Sequence, residues 1–140
     1  MPIRCEIVSQ DRVVYTDDVD IVVLPGAGGV MGVLPNHSPV LTTLQFGIIT
    51  VRKKGEEQFF TVAGGVAEVQ PDQVTVLADA AENVEEIDTQ RAEAARKRAE
   101  ELLQKGVGPD TDQYLAIQAA LRRSNLRIDA AQRLRRSRRS

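Results

Sequence analysis

Val74-Thr75-Val76-Leu77-Ala78-Asp79-Ala80-Ala81-Glu82 is the stretch in which the chain changes its structural vocabulary. As far as Leu77 the β-branched residues alternate with polar ones, the pattern of a half-buried strand. From Ile87 to Lys105 Val, Ile and Thr give way to Ala, Glu, Arg and Leu, the strong helix formers. A sheet-forming part therefore precedes a helical part, and the division is placed between residues 1–86 and 87–140.

Upstream of that point the runs are short and close together. Ile3-Arg4-Cys5-Glu6-Ile7-Val8 alternates with period two, Arg12-Val13-Val14-Tyr15 follows a Ser-Gln-Asp turn, and Asp20-Ile21-Val22-Val23-Leu24 runs into Pro25-Gly26. Further runs cover 40–44, 47–52, 58–62, 65–69 and 73–77. Lys54-Gly55-Glu56, Ala63-Gly64-Gly65 and Gln70-Pro71-Asp72 carry turn chemistry between them. With no helix interposed, this spacing favours an antiparallel sandwich or barrel over a βαβ sheet.

Downstream, Asp88 suits an N-cap, Gly106 a helix stop, and Gly106-Val107-Gly108-Pro109-Asp110 a reversal of direction. A second helix is expected from about Thr111 to Arg135, with Tyr114, Ile117, Leu121, Ile128 and Ala131 on a stripe interrupted by Ser124. Ala92, Ala95 and Ala99, facing Ala116, Ala119 and Ala120, let two antiparallel helices approach closely but bury little apolar area. A hairpin this thin needs a surface to lie on.

Composition narrows the function. In 140 residues, 42% hydrophobic content supports a core, and a net charge of −2 argues against a globally basic nucleic-acid binder. That mean hides an asymmetry: residues 1–86 carry 5 basic and 13 acidic side chains, whereas residues 87–140 carry 13 and 7. Aromatics at 4%, with no Trp, are too few for a base-stacking platform. The alternating N-terminus lacks a signal-peptide core and no apolar run approaches a membrane span, so a cytosolic setting is expected. A lone cysteine, Cys5, fits the same reducing compartment and reads as a small buried residue on a strand.

No catalytic constellation stands out. Gly26-Ala27-Gly28-Gly29-Val30-Met31-Gly32 misses a dinucleotide fingerprint because Met31 stands where glycine is required, and Leu34-Pro35-Asn36 rather than a helix follows. These glycines read as structural turns. His37 is the only histidine; Asn36-His37-Ser38-Pro39 reads as a hydrogen-bonded corner. Arg133-Leu134-Arg135-Arg136-Ser137-Arg138-Arg139-Ser140 holds five arginines in eight residues and by itself reads as a disordered, solvated tail.

Three motifs in order then carry a resemblance. Gly29-Val30-Met31-Gly32-Val33-Leu34-Pro35-Asn36-His37-Ser38-Pro39-Val40-Leu41-Thr42, Ala63-Gly64-Gly65-Val66-Ala67-Glu68-Val69 and the opening stretch continuing to Glu82 resemble the epsilon subunit of bacterial F-type ATP synthase. The resemblance spans nearly the whole chain. It implies a sandwich of about ten short strands with a C-terminal helical hairpin, hence the α+β class. It further implies a non-catalytic place in the central rotor, between the gamma subunit and the c-subunit ring. The hairpin would inhibit ATP hydrolysis by engaging the alpha/beta catalytic subunits, whose acidic segment would meet the arginine tail. The loops around Gly26–Pro39 would face the ring. The implied location is peripheral, on the cytoplasmic face of the bacterial plasma membrane, with the thylakoid membrane as the alternative.

Ile87-Asp88-Thr89-Gln90-Arg91-Ala92 is read in two ways. By itself it is a capped helix start with Arg91 in solvent. By resemblance, Ile/Leu-Asp-x-x-Arg-Ala marks a regulatory ATP site in some family members, in which Glu82, Ile87 and Asp88 hold the adenine. Arg91, with Arg123 and Arg127, would then meet the phosphates, and Ala92 completes the motif. Arg123 and Arg127 are four apart, so they share a helix face, and guanidinium forks suit phosphate oxygens. Ser124 and Ile128 depart from the commoner Arg-Ala-x-x-Arg-Leu. No cofactor is required on this reading; ATP is a ligand. The competing reading is a β-sandwich adaptor whose basic helical arm binds nucleic acid or anionic membrane.

Overall fold

A computed structural model of the chain describes residues 2–106, 108 and 111–139. Eight strands come first: β1 Ile3–Val8, β2 Val13–Val19, β3 Ile21–Gly26, β4 Gly29–Val33, β5 Val40–Lys53, β6 Glu56–Val69, β7 Gln73–Ala78 and β8 Ala81–Asn83. A single 3-10 turn, Val84–Glu86, leads into helices α1 Thr89–Gln104 and α2 Asp112–Arg139. The strands pair in the order β2-β1-β7-β6-β5-β3-β4, with β8 also on β6. All pairs are antiparallel except β1 with β7, which run parallel.

The strand count is lower than about ten because β5 and β6 each run 14 residues through what the sequence pattern divides in two. Their pairing continues on both sides of Gly64 and Gly65, from Lys53↔Glu56 to Val40↔Val69. Ala63-Gly64-Gly65 is thus a kink within a strand rather than a turn between strands. Gly65 has φ +131°, and a Cβ there would lie 2.4 Å from the Leu77 carbonyl oxygen, so only glycine lets β7 approach so closely. The two long strands belong to both layers of the sandwich. Their 40–44 and 65–69 ends join β7, β1 and β2, whereas their 44–53 and 56–63 ends join β3, β4 and β8.

Between the layers Ile3, Cys5, Ile7, Val74 and Val76 meet Val22, Leu24, Val33, Ile49, Val51, Phe60 and Val62 in one buried cluster. Tyr15 closes its edge, its ring 4.9 Å from that of Phe60. Burial pushes the Cys5 thiol up to about 12, the behaviour of a packed residue rather than a nucleophile.

The glycine-rich segment is only in part a turn. Gly26 pairs with Gly29 around a two-residue loop, Ala27-Gly28, and Gly29–Val33 continues as β4 against β3. Because Val30, Met31 and Val33 resume an extended pattern, the hairpin outweighs the reading of the whole stretch as turn. At the next corner Asn36 takes φ 69°, and its amide donates to the Pro71 carbonyl at 2.7 Å. His37 Nδ1 donates to the Ser38 carbonyl at 2.7 Å, the corner its sequence context indicates.

Asp88 caps α1 as expected: its Oδ1 accepts from the Arg91 amide at 3.1 Å. Gly106 ends it with φ +83°, while the remainder of the expected reversing loop falls largely on residues 107, 109 and 110, outside the described residues. Helix α2 continues to Arg139, beyond the expected Arg135, so the arginine tail is helical as far as it is described. Leu134 and Ser137 face the sheet there and supply the anchoring that a solvated tail lacks. Neither helix is long and apolar enough to cross a membrane.

Candidate functional site

Helix α2 lies on the outer face of the β3-β5-β6-β8 layer. Phe59, Val84 and Ala130 are buried together, with Ile48, Ile87 and Leu134 packed around them. The doublets Ile48-Ile49 and Phe59-Phe60 explain this: successive strand residues point to opposite faces, so one member fills the core and the other lies under the helix. Polar fastenings flank the apolar seam. Arg127 Nε donates to Glu82 Oε1 at 2.5 Å, Ser137 Oγ donates to Glu57 Oε1 at 3.2 Å, and Arg138 pairs with Glu85. Helix α1 packs chiefly against α2, burying Ala92 and Ala99.

Six of the seven site residues named from sequence line one open cleft of about 410 Å³ at the start of α1: Glu82, Ile87, Asp88, Arg91, Ala92 and Arg127. Glu86 and Ala95 complete its wall. Arg123 is the residue not brought into it. One helical turn before Arg127, it lines a neighbouring cleft with Thr61, Leu126, Ala80 and Ala81. Glu82 and Arg127 line both clefts and so stand between them.

Local chemistry fixes each position. Glu82 is held by β8, whose pairing sets Thr61 opposite it, and Thr61 Oγ1 donates to Glu82 Oε1 at 3.4 Å. Asn83 Oδ1 accepts from the Glu85 amide at 3.0 Å and starts the 3-10 turn that delivers Ile87 and Asp88. Arg12 reaches across to Glu86 at 3.2 Å. Arg91 and Arg123 project with their guanidinium groups in no ion pair among the described residues. Ser124 is buried, and its hydroxyl donates to the Ala120 carbonyl at 2.9 Å, so this departure from the commoner motif turns inward without reaching the cleft. Among the described residues no three His, Cys, Asp or Glu side chains gather where a metal ion would sit.

No local sequence signal singles out Thr61 or the Glu57 and Glu85 fastenings. The signal for the seam was present in the two apolar doublets, which break the period of two. The polar fastenings carried no local signature because their partners lie 53 and 80 residues apart in the chain.

Two family models cover this architecture in order. Residues 2–84 match the β-sandwich domain of the ATP synthase delta/epsilon chain, and residues 85–132 match its long α-helix domain. The chain belongs to the ATP synthase delta/epsilon chain family. An ATP synthase epsilon chain from Herpetosiphon aurantiacus is 43% identical over 138 residues, covering 99% of each chain. One from Pelotomaculum thermopropionicum is 52% identical over 102 residues, 73% of this chain and 76% of that one. A chain in the Euglena gracilis mitochondrial ATP synthase, solved with OSCP, F1 and c-ring, superposes with a TM-score of 0.72 at 26% identity, covering 86% of this chain and 76% of its own. Delta/epsilon chains are non-catalytic subunits.

Proposed function

We propose that the chain is a central-stalk subunit of a proton-translocating F-type ATP synthase, joining the gamma subunit to the c-subunit ring and restraining ATP hydrolysis through its C-terminal helices. Residues 1–86 form the docking module and residues 87–140 the regulatory one, with the complex peripheral to the cytoplasmic face of the membrane. The observation that carries this reading is the ordered match of both family domains over nearly all of the chain. The mode of helix attachment supports the regulatory half. A seam of a few side chains flanked by exposed ion pairs is weak enough to exchange for another surface, because such pairs each contribute about 0–1 kcal/mol.

ATP is the proposed regulatory ligand of the cleft at the start of α1. Ile87, Asp88 and Glu82 face the base, and Arg91, Arg127 and Arg123 the polyphosphate. A ligand that holds α1, α2 and β8 together favours the docked helix by its differential affinity, so abundant ATP relieves inhibition. Extended away from the sheet, the arginines of α2 would meet acidic segments of the alpha/beta subunits.

The test is ATPase activity of the assembled catalytic complex reconstituted with the full chain or with residues 1–86, after circular dichroism establishes that the truncated chain folds. Faster hydrolysis with the truncated chain is expected, together with calorimetric binding of ATP that Arg91→Ala weakens. Equal hydrolysis in the two complexes refutes the braking role, and absence of ATP binding refutes the ligand.

A further inference from the structure

We infer that Glu82 is an internal stand-in for phosphate: in the free chain its carboxylate occupies Arg127, and a polyphosphate binds by displacing it. This rests on the nucleotide reading of the cleft and adds how that site is regulated.

The geometry supplies three observations. First, Arg127 is engaged, its Nε donating to Glu82 Oε1 at 2.5 Å. Second, Glu82 does not drift to that contact on a loose loop. It sits on β8 in register with Thr61, whose hydroxyl also donates to Oε1, so strand pairing presents the carboxylate to the helix. Third, both members of the pair line both clefts, one holding Asp88 and Arg91, the other Arg123. The pair therefore stands between the two clefts. A linear polyphosphate that engages both Arg91 and Arg123 would run past Arg127, which lines both clefts and which Glu82 now holds.

The chemistry favours exchange over permanent closure. The pair is partly open to water, with 41% of the Arg127 side chain and 29% of the Glu82 side chain exposed, so its attraction is screened. A triphosphate presents several anionic oxygens to the same fork and recruits Arg91 and Arg123, which have no carboxylate partner to lose. Glu82, released from Arg127, is then free to face the base. Occupancy is thus set by one carboxylate exchanging for another anion, and removing that charge alone changes affinity.

Inorganic tripolyphosphate is the discriminating probe, because it carries no base and so isolates the contest at Arg127 from any contact of Glu82 with adenine. Calorimetric titration into the full chain and into Glu82→Gln, which preserves side-chain shape, is expected to show binding about five- to tenfold tighter in the variant, where tenfold corresponds to about 1.4 kcal/mol. The gain disappears when Arg127→Ala is added to Glu82→Gln. Far-ultraviolet circular dichroism confirms that each variant is folded. Unchanged or weaker tripolyphosphate binding by Glu82→Gln overturns the exchange. ATP is titrated in parallel to separate the two readings. ATP binding by the wild type without a tripolyphosphate gain in the variant leaves the nucleotide site standing and removes the exchange. A gain without ATP binding does the reverse, and no binding of either ligand by either chain overturns both.

Discussion

The guanidinium carbon of Arg122, on α2, stands 4.1 Å from the centroid of the Phe46 ring on β5. This contact lies one residue before Arg123 and ties the first half of the docked segment to the sheet, far along the helix from Ser137 and Glu57. An exposed cation over a ring contributes about 0.5–1 kcal/mol, which matters here because the apolar seam is narrow. Arg122→Ala and Phe46→Leu should each raise amide hydrogen exchange in α2 several-fold and leave β1 and β7 unchanged. Uniform acceleration across the chain would instead make Phe46 a determinant of the sandwich itself.

Within the seam Ala130 is fully buried beside Phe59 and Val84. A larger side chain there must push the helix away from the sheet, at a cost of about 1–3 kcal/mol. Ala130→Leu is expected to make α2 markedly more sensitive to trypsin, for which its arginines are substrates, while thermal unfolding of the strands shifts little. Wild-type resistance in the variant would show that the helix adjusts in place.

Ser124 offers a change in the opposite direction. Its hydroxyl is buried and, among the described residues, bonded to the carbonyl one turn back, a bond that adds little to an already satisfied helix. Ser124→Ala removes a buried polar group together with its local bond, so stability should be unchanged or rise by about 0.5 kcal/mol. A melting temperature lowered by several degrees would reveal a further partner for this hydroxyl.

Alkaline pH probes the core from within. Burial raises the Cys5 thiol from 9.0 to about 12, aided by the charge of Glu6. Burial raises Tyr15 from 10.0 to about 12, aided by Asp17 and Cys5. The folded chain retains both protons where the unfolded chain releases them, so stability is intact below about pH 9 and falls as pH rises towards about 12. Cys5 alone sets a slope approaching about 1.4 kcal/mol per pH unit across that window. Urea midpoints near pH 8 and near pH 11 should therefore separate more in the wild type than in Cys5→Ala. Equal separations would refute the assignment to the thiol.

What was legible in the sequence was whatever a short window encodes. The alternation of Ile3 to Val8, the Asp88 cap and the Gly106 stop each depend on neighbours within a turn or a strand, and the structure has all three. Gly64 and Gly65 were legible as a break in regularity but not as a kink, because that distinction depends on Leu77 packing against Gly65 from another strand. The docking of the arginine tail has no local signal because its anchors, Glu57 and Glu85, lie on elements formed far earlier in the chain. The cleft residues divide similarly. Ile87, Asp88, Arg91 and Ala92 follow one another in sequence, whereas the engagement of Arg127 by Glu82 depends on where α2 crosses β8.

The strands β5 and β6 run through both layers of the sandwich, each with a contour length of about 46 Å at 3.3 Å per residue. In a subunit proposed to sit on a rotating shaft, this determines how mechanical load is carried. A force applied to the β1-β2-β7 side reaches the β3-β4-β8 side along two continuous peptide backbones, whose ladder hydrogen bonds share it in parallel. Slippage between layers would require breaking that ladder, so on the proposed reading the sandwich would transmit twist as a stiff coupling, and the helix is fastened outside it.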